Sequence, residues 1–268
     1  MVVYAAQGDA RRSMALLWRS DPGDAAADPA RPGPRPGLSV ERIVEAGIAI
    51  ADAEGMPGLS MRAVGERLGR TAMALYTYVA NKNELVDLMY DRALGELPTD
   101  YSGHREWRDA LTAWAGDTWE FYLRHPWLLQ VSQARSVLGP NEFQSVETLV
   151  VILDRLDLPA KEVRRLVGTL TTYVRGAVRL VAESRAAQAE TGVSDDEWWL
   201  TRSALLEEVA PDFGARYPAL TRLESERAFH LEDETVPYLE QEARETFRSG
   251  LATVLDGIEV AVRRARIG

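Results

Sequence analysis

The sequence predicts an all-α protein, in which a small N-terminal three-helix head containing a helix-turn-helix is followed by a larger helical-bundle body. Three observations lead there. Residues 38–97 hold a series of short helical patterns, each opened by a capping residue. From Trp107 onward, apolar side chains recur every three or four positions almost to the C-terminus. Sustained apolar–polar alternation, the mark of a half-buried strand, is missing.

The head follows from local signals. Ser39 precedes Ile43, Ala46, Gly47, Ile50 and Ala51, so it caps a first helix that ends near Glu54-Gly55. Gly55, Pro57 and Gly58 break the chain. Ser60 caps a second helix with Ala63, Val64 and Leu68 facing inward, and Gly69 supplies a tight turn. Thr71 caps the third helix, expected over Arg70 to Val79, with Leu75 and Val79 as its buried stripe. Ala72, Met73, Ala74, Tyr76 and Thr77 then point outward, with Tyr78 at the edge. Methyl, hydroxyl and aromatic groups on one surface suit thymine methyls, base edges and phosphate oxygens in a major groove.

Asn81-Lys82-Asn83-Glu84 reads as a further helix start, with Asn81 as cap and Glu84 reaching back as in a capping box. Lys82 would lie on the first turn, where an ammonium and free amides together grip a phosphate. An ordinary capped helical bundle explains each signal singly; their ordered succession is more specific.

The formal net charge is −10, against the expectation for a nucleic-acid binder. A local patch matters more than the total. From Arg62 to Lys82, Arg62, Arg67, Arg70 and Lys82 face only Glu66, so the reading edge is basic while Glu84, Asp87, Asp91 and Glu96 follow it. Cysteine is absent, which excludes disulfides and thiolate metal sites and fits a reducing cytoplasm. No apolar run approaches the ~20 residues that span a bilayer. The three histidines, His104, His125 and His230, have no spacing for a shared metal, and no phosphate loop or nucleophile motif occurs. His230 with Glu232, Asp233 and Glu234 could hold a hard cation loosely, or form a solvated acidic loop. No cofactor and no catalytic residue are expected.

Three regions follow. Residues 1–37 form a flexible tail, because Asp28 to Gly37 is too rich in proline and glycine for helix or central strand. Arg31 and Arg35 there could reach a groove or phosphates, or belong to a solvated linker. The Ala15–Trp18 block is a short packed helix or a mobile stretch. Residues 38–97 are the head with its connecting fourth helix. Residues 98–268 are the body, which begins with a hinge-like linker over 98–103. In it, a helix from Trp107 stops at His125-Pro126, Pro126 and Gly139-Pro140 start further helices, and Pro159 opens a long one. Ser194 to Glu197 is a second capping box, Pro211 to Pro218 is irregular, and a last helix runs from Thr235 to Arg264.

The segment IVEAGIAIADAEGMPGLSMRAVGERLGRTAMALYTYVANKNELVDLM, within residues 38–97, resembles the N-terminal domain of the TetR family of bacterial transcriptional regulators. The resemblance implies a homodimer whose third helices enter successive major grooves of a palindromic operator on double-stranded DNA. It makes Arg62 a phosphate or guanine contact, Thr71 to Ala74 base readers, Tyr76 and Tyr78 phosphate contacts, and Lys82 a phosphate clamp. Ala72 and Ala74 stand where the tetracycline repressor has polar readers, so base choice falls to Arg70, Thr71, Met73 and Thr77. Residues from about 100 to 265 resemble, less sharply, the C-terminal domain of tetracycline-repressor-like members, which dimerise through a four-helix bundle. Gly168 and Gly176 in one late helix, and Gly250 and Gly257 in another, fit close approach at such a seam, room for a ligand, or drift. The resemblance favours the seam.

All tryptophans except Trp18 lie between Trp107 and Trp199. Trp107, Trp114, Trp119, Tyr122, Trp127, Tyr173 and Trp198 are candidates to line a pocket for a small apolar or aromatic effector, with plain core packing as the alternative for each. The sequence therefore predicts a cytoplasmic, sequence-specific repressor released from its operator by such an effector. The competing readings are an architectural DNA binder without an effector, and a helical small-molecule binder or enzyme with a vestigial reader.

Overall fold

The structure, a computed structural model, describes residues 3–4, 7–19, 37–229 and 235–265. Arg31 and Arg35 of the expected arm, and His230, Glu232, Asp233 and Glu234 of the acidic loop, lie outside the described residues.

In chain order the elements are β1 (Val3–Tyr4), α1 (Ala10–Leu17), α2 (Val40–Gly58), α3 (Met61–Arg67), α4 (Ala72–Tyr76), α5 (Lys82–Leu94) and α6 (Trp107–Arg124). A 3-10 turn (Pro126–Gln130) and β2 (Val131–Ser132) lead to α7 (Pro140–Asp154), α8 (Ala160–Thr191), α9 (Asp195–Val209), α10 (Phe213–Arg216), α11 (Pro218–Ser225) and α12 (Tyr238–Ala265). The all-α expectation holds; the one sheet among the described residues is a parallel pairing of two residues, Val3 with Val131 and Tyr4 with Ser132.

Local chemistry sets the helix starts. The side chains of Asp9, Ser39, Ser60, Thr71, Asn81 and Ser194 each accept from the backbone N–H three residues on, so orphan donors of the first turn are satisfied. Gly55 adopts φ 68° and interrupts α2 where the break was expected, although hydrogen bonding resumes to Gly58. The stretch expected to be irregular before Pro218 holds α10, and α11 follows it. Both are too short to leave a periodic apolar signature.

Contacts divide the chain into Met1–Thr172 with Ala265–Gly268, and Tyr173–Arg264; the division falls inside α8. Residues 38–97 fall in the first unit together with α6 and α7. Its centre is α5, where ten side chains, Glu84 to Asp91 with Ala93 and Leu94, are buried against α1, α2 and α7. Gly47 lets α2 approach α5, since a Cβ there would meet Met89 Sδ at 2.7 Å. The region expected as a hinge is anchored instead. Tyr101 is buried, its hydroxyl donates to Asp117 on α6 at 2.7 Å, and Arg155 donates to the carbonyls of His104 (2.8 Å) and Tyr101 (3.2 Å). Burial and the Asp117 carboxylate push the Tyr101 pKa upward, so this hydroxyl stays a donor.

In the second unit, Ala243, Phe247, Leu251, Leu255, Ile258 and Val262 make a buried stripe along α12 at spacings of three and four. Tyr173 of α8 stacks on Phe247 and donates from its hydroxyl to Phe247 O at 2.6 Å. Gly250 makes room for that hydroxyl, which a Cβ would overlap. Along α9 and beyond, large apolar side chains stay exposed, among them Trp199, Leu200 and Val209.

Candidate nucleic-acid interface

The helix-turn-helix is held by one close contact. Gly65 in α3 lies against the following turn: a Cβ would meet Arg70 O at 2.7 Å, and Arg70 N donates to Gly65 O at 2.8 Å. Gly69, at φ 64°, closes that turn in the left-handed region. Leu75 and Val79 are fully buried behind α4 and anchor it to the core. Each such side chain contributes about 1.5–3 kcal/mol of burial. The regular helix spans Ala72–Tyr76, shorter than the expected Arg70 to Val79, because the chain turns at Thr77-Tyr78 to reach Asn81.

Anchoring from behind leaves the opposite surface open. Met73 is 75% exposed, Tyr76 42% and Tyr78 36%, while Arg70, Thr71 and Thr77 are exposed and Ala72 and Ala74 half-buried. Arg62 also faces solvent, where its Nε meets Glu66 at 2.7 Å one turn on. Of the residues named as DNA contacts in α3 and α4, Arg62, Met73 and Tyr76 are exposed and Ala74 is half-buried.

Lys82 stands slightly apart. Its ammonium is half-buried and donates to Met56 O at 3.3 Å, at the end of α2, and burial draws its pKa below the usual lysine value. Beside it, Asn81 Oδ1 accepts from Glu84 N at 2.9 Å. Glu84 reaches back to Ala80 N at 2.5 Å, one residue before the cap that a capping box would predict. Glu84 is itself buried and pairs with Arg12 of α1 at 3.3 Å, and Arg12 Nη2 donates to Tyr78 O at 3.2 Å. An arginine of the expected tail therefore holds the link between α4 and α5.

The described part of that tail makes further contacts. β1 pairs with β2, and Trp18 donates from Nε1 to Leu138 O at 2.9 Å while its ring lies 6.0 Å from that of Phe143 on α7. The apolar Ala15–Trp18 block is thus structured at its C-terminal end, an outcome left open by the sequence.

Head and body meet at two carboxylates. Asp52 of α2 accepts from His125 Nδ1 (2.8 Å) and from Trp127 Nε1 (2.9 Å). The other imidazole nitrogen of His125 lies 3.0 Å from Glu96, which Arg124 also approaches at 3.9 Å. Both ring nitrogens of this buried imidazole are therefore engaged by carboxylates. Near the C-terminal end of α5, Asp91 accepts from the backbone N–H groups of Asn141 (3.0 Å) and Glu142 (2.9 Å) and from Asn141 Nδ2 (3.0 Å). It caps α7 from another helix. Gly139, whose Cβ would collide with the carboxylate, is the N-cap residue and has no side chain for the task.

The candidate effector residues fall in both units. Trp114, Trp119, Tyr122 and Trp127 are buried in the first unit, with Trp107 half-buried at the start of α6. Tyr173 and Trp198 belong to the second unit. There Tyr173 is engaged with Phe247, and Trp198 is 49% exposed, stacked on Trp199 and beneath the Arg202 guanidinium at 4.9 Å. Trp127 also serves as a donor to Asp52, which its spacing did not suggest. The sequence reading missed Asp52, Glu96, Gly65 and Arg12. A glycine inside the short α3 was the one local signal available; the others depend on partners far along the chain.

Comparisons with known proteins agree with this geometry. A family model described as "Tetracyclin repressor-like, C-terminal domain" matches residues 97–262. The HTH-type transcriptional repressor DrrR1 of Streptomyces coeruleorubidus is 40% identical over 261 residues, covering 97% of this chain and 89% of that protein. An HTH-type transcriptional regulator of Saccharopolyspora erythraea is 31% identical over 186 residues, covering 69% of this chain and 75% of its own. Among solved structures, the Streptomyces coelicolor TetR family protein ActR in complex with actinorhodin shares the fold with a TM-score of 0.65 at 21% identity, over 85% of this chain and 98% of that one.

Proposed function

The chain belongs to the TetR family of DNA-binding transcriptional regulators, and on that premise we propose that it is a repressor that leaves a palindromic operator when a small apolar or aromatic effector binds its body. The observation that carries this reading is the exposed surface from Arg70 to Tyr78, fixed by the buried Leu75 and Val79. Arg70, Thr71, Met73 and Thr77 read base edges. Arg62, Tyr76, Tyr78 and Lys82 take phosphates, and Ala74 offers its methyl group to a thymine.

Two copies of the chain present two such surfaces roughly 34–36 Å apart, one DNA turn, to the two half-sites. Gly168, Gly176 and Gly257 support a dimer seam, because a Cβ at each would meet nothing within 4 Å in its own chain. Gly250 does not, being occupied by Tyr173. The effector reading rests on the buried aromatic side chains of α6 and the 3-10 turn, chiefly Trp114, Trp119, Tyr122 and Trp127. An effector among them acts on DNA only if it favours a state in which α5 holds the two readers at the wrong spacing. Trp127 and His125 tie that region to Asp52 on α2 and supply the path.

Selection of bound duplexes from a random library by the full-length chain tests the proposal. Enrichment of an inverted repeat with half-site centres about 10 base pairs apart is the expected result. Recovery of duplexes with no common sequence would refute it.

A further inference from the structure

α1 and the reader form a groove that the family reading does not use. Arg12, Ala15, Leu16 and Arg19 line one side, and Val40, Thr77 and Tyr78 the other, around an open volume of about 400 Å³. Thr77 and Tyr78 are also the exposed end of the reading surface, so the groove continues that surface past the last turn of α4.

The two arginines differ in state. Arg12 is spoken for: its Nε pairs with the buried Glu84 at 3.3 Å and its Nη2 donates to Tyr78 O at 3.2 Å. Arg19 is exposed just beyond α1, with Glu41 in the first turn of α2 near enough to feel its charge. The wall that carries both is fixed in advance. Trp18, next to Arg19, donates to Leu138 O at 2.9 Å, and β1 is paired with β2. A basic side chain on a backbone already held in place loses less freedom on meeting an anion, and the polymer that passes Tyr78 in the proposed complex carries one phosphate on each nucleotide.

We infer that α1 adds a second, non-specific contact to the DNA interface, in which Arg19 meets a backbone phosphate beside Thr77 and Tyr78 while Arg12 positions the strand-facing loop. The inference rests on the reading of α4 as the DNA reader. It makes the N-terminal segment part of the binding surface and not a mere leader to the head.

The test compares the full-length chain with Arg19→Ala, Arg19→Lys and Arg12→Ala. Each is titrated, from about 50 to 200 mM salt, onto a duplex selected by the unsubstituted chain and onto a random duplex of equal length. Arg19→Ala should flatten the dependence of log K on log salt by about 0.9 on both duplexes, so that its deficit shrinks about 3.5-fold across that range. Arg19→Lys should restore the slope, since the charge and not the packing is at issue. Arg12→Ala should weaken binding with the slope intact, its charge being already matched by Glu84. An unaltered slope in Arg19→Ala, with selective binding retained, overturns this inference alone. Absence of selective binding by the unsubstituted chain overturns it together with the reader.

Discussion

His125 Nδ1 lies 2.8 Å from the Asp52 carboxylate, joining the start of the 3-10 turn to the middle of α2 across 73 residues of sequence. The bond is reinforced at the same oxygen by Trp127, and at the opposite ring nitrogen by Glu96. Three segments, α2, the chain after α5 and the start of the 3-10 turn, thus share one imidazole. Replacing His125 by alanine removes the imidazole between Asp52 and Glu96, at a cost of about 1.5–3 kcal/mol. Urea titration should show that loss. In a double-mutant cycle, Asp52→Ala should cost clearly less when His125 is already alanine, by at least ~0.5 kcal/mol. Additive losses would mean that the two residues act independently.

Asp91 gives a prediction in pH. Burial raises its pKa above the usual 3.8, outweighing the opposing bonds from the Glu142 and Asn141 amides, and the Glu142 charge adds to the rise. With the folded value above the unfolded one, its contribution to stability is present below the ordinary carboxylate pKa and is lost as pH rises through the folded value. The stability difference between wild type and Asp91→Asn should therefore move against wild type as pH is raised from about 4. At neutral pH, Asp91→Ala should cost about 1–3 kcal/mol by stripping the cap from α7, while Asp91→Asn, which keeps an acceptor, should cost less. Equal losses in the two variants would refute the capping role.

The turn between α3 and α4 tolerates no side chain at Gly65. Gly65→Ala forces its Cβ against the Arg70 carbonyl and should destabilise the chain by about 1–3 kcal/mol. The carbonyl belongs to the turn that sets the angle of α4, so selective DNA binding should fall further than stability does. Thermal melting and mobility shift together check this. Gly69→Ala, by contrast, meets no atom within 4 Å and pays only for its left-handed backbone.

Within the proposed interface, residue roles should separate by what each is expected to contact. Lys82→Ala should weaken operator and random duplexes alike and reduce the salt slope by about one. Tyr76→Phe should weaken both without changing the slope, since it removes a hydroxyl and no charge. Substitutions at Arg70, Thr71, Met73 or Thr77 should shift base preference, by about 1–3 kcal/mol per base pair. Repeating the selection with each variant distinguishes the classes, and unchanged preference after all four would show the reader to be misassigned.

What could be read from the sequence was local. Ser39, Ser60, Thr71 and Asn81 act on amides three residues away, so their spacing alone revealed the helix starts. Leu75 and Val79 lie one turn apart and showed their common face. The burial of Asp91 and Glu84 on α5 was not legible in the same way. Their partners, Asn141, Glu142 and Arg12, lie 50 to 72 positions away and cannot be found by periodicity. Trp127 was visible as an aromatic residue. Its bond to Asp52 depends on how α2 meets the 3-10 turn, which no short-range pattern encodes.

The crowding around α5 has a mechanical consequence. A rod gripped along ten of its thirteen positions, with a carboxylate tied down near each end, does not tilt by degrees. Small displacements break packing on every side before new contacts form on any. Motion passed along it must come as a jump between two seated positions, giving the molecule a threshold where a looser lever would give a graded response.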